Sequence, residues 1–152
     1  MRRLRLFVLI ALGLVVFLAV SAVLARVLSV DGAERAAITG LVQSEARGNT
    51  ASLIGQIHDC QQSPACRQRA AEDASSLTRS GSVKILELNP SAGFSLGSTV
   101  GTARVAWRAG NALPVVQCVR VRRAGNALSG LHVELLQISA RIKSDASCPA
   151  KY

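Results

Sequence analysis

Two histidine–carboxylate pairs are the places where neighbouring residues of this chain could move a proton near neutral pH: His58-Asp59 and His132-x-Glu134. An imidazole beside a carboxylate makes a general base. Each pair also has a plainer reading. His58 falls at the end of a short predicted helix, beside a cysteine-bearing turn. His132 and Glu134 fall on the polar face of a predicted strand, where Glu134 would pair with Arg120 across the sheet. Gly93-Phe94-Ser95-Leu96-Gly97 spells G-x-S-x-G, but it precedes a predicted strand and not the helix that a nucleophile elbow requires. The glycines at 93, 97 and 101 are followed by no lysine of the kind a phosphate loop requires.

The four cysteines, Cys60, Cys66, Cys118 and Cys148, offer two chemistries. Zinc would need tight Cys pairs with His partners. The closest spacing here is Cys60-x5-Cys66, and His132 is remote in sequence. Disulfides are favoured, as Cys60–Cys66 and Cys118–Cys148, with no metal and no cofactor expected. The second closes the longer loop and should contribute around 3 kcal/mol in the loop-entropy view.

The elements that hold these residues begin with a membrane signal. Arg2, Arg3 and Arg5 precede an apolar run from Leu6 to Ala25, which ends at Arg26. About 20 residues at roughly 1.5 Å each match the hydrocarbon layer of a bilayer. The asymmetry of the arginines places the N-terminus in the cytoplasm and the rest outside. An uncleaved signal-anchor is favoured. Cleavage after Val20-Ser21-Ala22 or Val23-Leu24-Ala25, releasing a secreted domain, is the alternative. The division is thus an anchor over 1–26, an extracytoplasmic domain over 27–143, and a tail over 144–152 carrying Cys148. Beyond residue 26, fourteen basic residues face nine acids, a formal +5. That is mild, and aromatic stacking platforms are absent, so nucleic acid is not an expected partner.

The fold class expected is α+β. Asp31 and Glu34 have capping-box spacing, which predicts a helix start there; Ala37, Ile38, Leu41 and Val42 share its apolar face. Thr50 caps a second helix. Ser63-Pro64 starts a third, running to about Arg79. Strands are predicted over Val83–Leu88, Thr99–Arg108, Pro114–Arg123 and Leu131–Lys143, with Phe94 to Gly97 in a loop. The repeated hexapeptide Arg-Ala-Gly-Asn-Ala-Leu, at 108–113 and 123–128, reads as one turn used twice. Alternation puts Val105, Trp107, Val115, Gln117, Val119, Val121, Val133 and Leu135 inward. A bulge near Leu135-Leu136 keeps the last strand in phase. The inward set then holds no proton-transfer group, and Gln117 is its one polar member. Glu87 is the possible exception, since the phase of the first strand is open. Arg104, Arg120 and Arg122 share the other face, a candidate patch for lipid, glycan or a protein partner.

Three helices before a bent four-stranded meander, with the strands Gly101-Thr-Ala-Arg-Val-Ala-Trp107 and Val115-Val-Gln-Cys-Val-Arg-Val121, resemble the nuclear transport factor two-like superfamily. The resemblance covers about residues 31 to 143 and is nearest to small cystatin-like secreted domains of actinobacteria. It implies a cone-shaped roll, without a clear counterpart of the strand pair usual between its second and third helices. Such folds host hydrolases, isomerases, dehydratases and inactive binding domains, so fold alone does not choose. The expected function is a non-catalytic, membrane-tethered binding or interaction module. In that reading Gln117 and Trp107 contact a ligand, or Arg104, Arg120 and Arg122 contact a partner. The alternative is a small hydrolase or isomerase acting in the cone.

Overall fold

A computed structural model of the chain describes residues 2–91, 98–126 and 130–150. It is an α+β fold, with α1 (Arg2–Ala46), α2 (Thr50–Gln56), a 3-10 turn (Cys60–Gln62) and α3 (Pro64–Ser76) preceding the strands. The sheet is an antiparallel meander of β1 (Val83–Asn89), β2 (Thr99–Ala109), β3 (Val115–Asn126) and β4 (Gly130–Ile138), in that spatial order.

The first helix departs from expectation. It runs unbroken for 45 residues, straight through Asp31. From Phe7 to Val20 every side chain is exposed, and the helix that continues from Phe7 is long and apolar enough to cross a membrane. From Val30 on, one face is buried: Val30, Glu34, Ile38, Leu41, Val42, Glu45 and Ala46. Asp31 and Glu34 therefore do not cap a helix start. They form an ion cluster with Arg123 of β3. Arg123 donates from Nε to Glu34 Oε2 at 2.9 Å and from Nη2 to Asp31 Oδ1 at 2.5 Å. The Ser91 backbone N–H and hydroxyl donate to Glu34 at 2.7 and 3.0 Å. Gly101 makes this possible: a Cβ there would collide with the Ser91 carbonyl.

The remaining helices follow local chemistry. Asn49, rather than Thr50, caps α2, accepting the Ser52 N–H at 3.0 Å. Ser63 caps α3 as expected, with Pro64 in its first turn. That helix stops at Ser76, short of Arg79.

In the sheet, Val105 pairs with Gln117 and Trp107 with Val115, so the expected inward face is the observed one. Trp107, Val105, Val115, Gln117, Val119 and Val121 are all buried against the helices, and Leu135 joins them. The register of β3 and β4 shifts by one at Leu136, which is the predicted bulge. The shift puts Glu134 opposite Arg122 and Gln137 opposite Arg120, so the cross-strand ion pair forms with Arg122 instead. A second bulge, at Leu86, interrupts β1.

The last strand ends at Ile138, not Lys143, because the Ser139 hydroxyl takes the Cys118 N–H at 2.9 Å and the chain leaves the ladder. It touches the sheet again through a single bridge from Ile142 to Val116. Both predicted disulfides are present, Cys60–Cys66 joining the 3-10 turn to α3 and Cys118–Cys148 fastening the tail over the outer face.

The two copies of the hexapeptide are used differently. The first leaves β2 after Ala109 and turns through Gly110 at positive φ; in the second, strand pairing continues to Asn126. Ala127 and Leu128, like Phe94 to Gly97, lie outside the described residues.

Arg123→Ala should destabilise the domain by about 3–5 kcal/mol, because it strands the buried Glu34 carboxylate. Chemical denaturation of the variant against wild type measures this, and a loss no larger than that of a surface substitution would show the cluster to be incidental.

Candidate functional site

Besides the Arg123 cluster, a second polar chain crosses the buried core between helices and sheet. The Trp107 Nε1–H donates to Gln117 Oε1 at 2.8 Å. Gln117 Nε2 donates to Glu45 Oε1 at 2.6 Å and to the Ser139 carbonyl at 3.2 Å. All three side chains are fully buried. Glu45 Oε2 has no partner among the described residues, nor has Oδ2 of the neighbouring Asp73 on α3. Burial drives the Glu45 pKa up to about 8; the Gln117 hydrogen bond opposes this and the Asp73 charge adds to it. Asp73 rises to about 7, again by burial first, with Arg69 pulling it down and Glu72 pushing it up.

Glu45 overturns the expectation that the interior holds no proton-transfer group. It lies seven residues after Ile38 and four after Leu41, on the same apolar helical face. That phase was the available signal; carboxylates are rarely fully buried, and the face was read from its apolar members alone. Glu87 does not point inward. It is exposed and lies 3.6 Å from Arg104.

The other candidate residues sit outside the core. Arg104 is tied to Glu87 and donates to the Ser144 carbonyl of the tail. Arg122 is held by Glu134, with Nε donating at 2.5 Å. That bond, more than any other influence, lowers the Glu134 pKa. Arg120 is half-buried on the same outer face. The arginines therefore do not form one open patch: two of the three serve intramolecular pairs.

The tertiary structure does bring the two histidine pairs toward one another. His132 Nε2 lies 3.3 Å from Glu134, His58 Nε2 lies 3.1 Å from Asp59, and His58 also acts on the Glu134 charge. His58 donates its backbone N–H to the Leu135 carbonyl at 2.7 Å, which ties the turn after α2 to β4. The His58 side chain is 41% exposed and Asp59 66%, so both face water. A groove of about 330 Å³ runs from this pair past Cys60–Cys66 to Leu136 and Ile138. Among the described residues no group of three or more His, Cys, Asp and Glu could hold a metal ion.

Acid–base chemistry in the interior would need Glu45, yet none of the surface grooves described here is lined by Glu45, Gln117 or Trp107. No family model matches the chain, and no curated protein or solved structure matches it either.

Two carboxyl groups whose pKa values rise on folding make the folded state the better proton binder. For Glu45 the stabilising contribution is complete below its ordinary value of 4.5 and is lost as pH climbs to about 8. For Asp73 the window runs from 3.8 to about 7. Stability should therefore fall with rising pH across this range, by up to ~1.4 kcal/mol per pH unit for each group. Glu45→Gln keeps the acceptor for Gln117 and should flatten much of that slope. Urea denaturation followed by Trp107 fluorescence at several pH values checks it, and an unchanged slope in the variant would show that Glu45 is already charged.

Proposed function

We propose that the chain is a membrane-tethered, extracytoplasmic, non-catalytic binding or interaction module. The observation that carries this reading is the single helix α1. The same unbroken element is exposed and apolar from Phe7 to Val20 and supplies a core face of the domain from Val30 on. A helix in lipid satisfies its own backbone, so anchor and domain can be one rigid body without a linker.

Orientation rests on two independent arguments. Three arginines precede the apolar run and one follows closely, which favours a cytoplasmic N-terminus. Two disulfides with no free cysteine suit an oxidising compartment on the other side. The helices laid over a bent meander also suit the resemblance to nuclear transport factor two-like domains, as a roll whose cone is packed by Trp107 and its neighbours. Binding would then fall to the outer grooves.

One observation favours the enzymatic alternative: Glu45 is a buried carboxyl with a pKa near neutrality, beside a polar partner. Against it, Glu45, Gln117 and Trp107 are all fully buried and bonded in one chain, which works as core structure.

Alkaline carbonate extraction of cells expressing the full chain tests the anchor. The chain should remain with the membranes. Its release at full length would overturn the tether, whereas release of a form beginning near Val23 or Arg26 would establish cleavage.

A further inference from the structure

α1 meets β3 at two places, Glu34 at Arg123 and Glu45 at Gln117. The helical residues between these contacts rise roughly 17 Å at about 1.5 Å each. The strand residues between them span roughly 20 Å at about 3.3 Å each. Helix and strand therefore lie alongside one another in opposite directions, and a position on one reads off a position on the other. Past Arg123, β3 continues to Asn126, roughly 10 Å nearer the apolar segment. That equals the rise of about six helical residues, which sets the end of β3 level with Leu28. β4 begins at the same level, since Gly130 pairs with Asn126. The approach to β2 joins them: the Ser98 hydroxyl takes the Gly125 N–H at 3.1 Å and donates to the Gly125 carbonyl at 3.2 Å.

The apolar run of α1 ends at Ala25. A bilayer of about 40–45 Å around a hydrocarbon core of about 30 Å leaves a headgroup layer of roughly 5–7 Å on each side. Along a helix that is the rise of about four residues, so the layer takes in residues 26 to 29. Leu28 lies there and is 70% exposed, an apolar side chain that nothing in the domain covers. Val30, two residues on, is 3% exposed and opens the buried face. The helix is unbroken across this stretch, so no linker lets the domain lift away.

Charge agrees with this placement. The carboxylates that α1 and β4 carry near this end each face an arginine: Asp31 and Glu34 on Arg123, Glu134 on Arg122. Arg26 follows the apolar run directly, and Arg35 is exposed and in no ion pair among the described residues. A layer of lipid phosphates therefore meets compensated acids and net positive charge.

We propose that this end of the sheet rests on the phospholipid headgroups of the bilayer that α1 enters, with Gly125 and Gly130 in the headgroup layer and Ser98 and His132 at its outer boundary. The domain then stands upright on the membrane. The inference rests on the tether and names what covers the end of the fold beside it. At the opposite end, Leu113 is 77% exposed. It lies roughly 35 Å farther out, since β3 runs from Asn126 back to Val115 at about 3.3 Å per residue.

Fluorescence quenching of the full chain in phosphatidylcholine–phosphatidylglycerol vesicles, with nitroxide on the choline headgroups, tests this. His132→Cys, Val100→Cys and Leu113→Cys each place one fluorophore at an exposed position. The label at 132 should lose most of its emission, the label at 100, two residues higher on the sheet, less, and the label at 113 none. Ser98→Cys, also exposed, gives a second reading of the membrane end, and unchanged Trp107 emission before labelling shows that each variant folds. Equal loss at all positions, or greater loss at 113, would show a domain lying flat or inverted and would overturn the proposal. A chain that floats with the vesicles but loses no emission at 132 or 98 would lose this inference alone. One that does not float with them would lose the tether, and the seating with it.

Discussion

Arg123 and Glu34 carry the junction between the two halves of this protein. A long apolar helix has no intrinsic reason to sit in one register on a sheet, because many slides along it bury similar area. A buried charge pair with hydrogen bonds on both sides has one solution. Glu34 Oε2 accepts from Arg123, and both its oxygens accept from Ser91, so helix, third strand and the end of the first strand are set together. Such a pair adds little net stability over an apolar replacement, but its geometry penalises every alternative register. The glycine at 101 is part of the same arrangement, since any side chain there would push Ser91 off the carboxylate.

Once that register is set, the second polar crossing follows. Eleven residues along α1 from Glu34, Glu45 arrives at Gln117, which lies six residues back along β3 from Arg123. The helix thus meets the same strand twice, once through a fully ionic contact near the apolar segment and once through a carboxyl–amide–indole chain at the far end. The contrast is physical. Glu34 has a guanidinium and keeps its charge compensated. Glu45 has only an amide, whose hydrogen bond offsets burial in part, so its affinity for a proton rises. The disulfides act at other places, one on the turn before α3 and one on the tail.

The outer face shows how intramolecular pairing consumes what sequence presents as a patch. Arg104 and Arg122 each find a carboxylate on the neighbouring strand, and the tail covers part of the face. Arg69, Arg79 and Arg141 are a different set: they line a groove at the end of α3 and come from segments far apart in sequence.

The apolar run, the helix-then-strand order, the inward alternation of β2 and β3, the bulge at Leu136 and both disulfides were legible in the chain, because each depends on local periodicity, loop length or redox setting. What local pattern could not decide was the partner of each polar residue. Asp31 and Glu34 have the spacing of a capping box, and in isolation a helix could start there; an Arg some ninety residues away takes both acids, and the helix runs on. The hexapeptide at 108 and 123 makes the point within one sequence. Its two arginines stand fifteen residues apart, and the strand pairing gives them opposite phases: Arg108 faces outward, while Arg123 faces inward and is compensated. Identical residues therefore become a turn and a core ion pair, because burial and charge compensation are properties of the assembled sheet and helix, not of the segment.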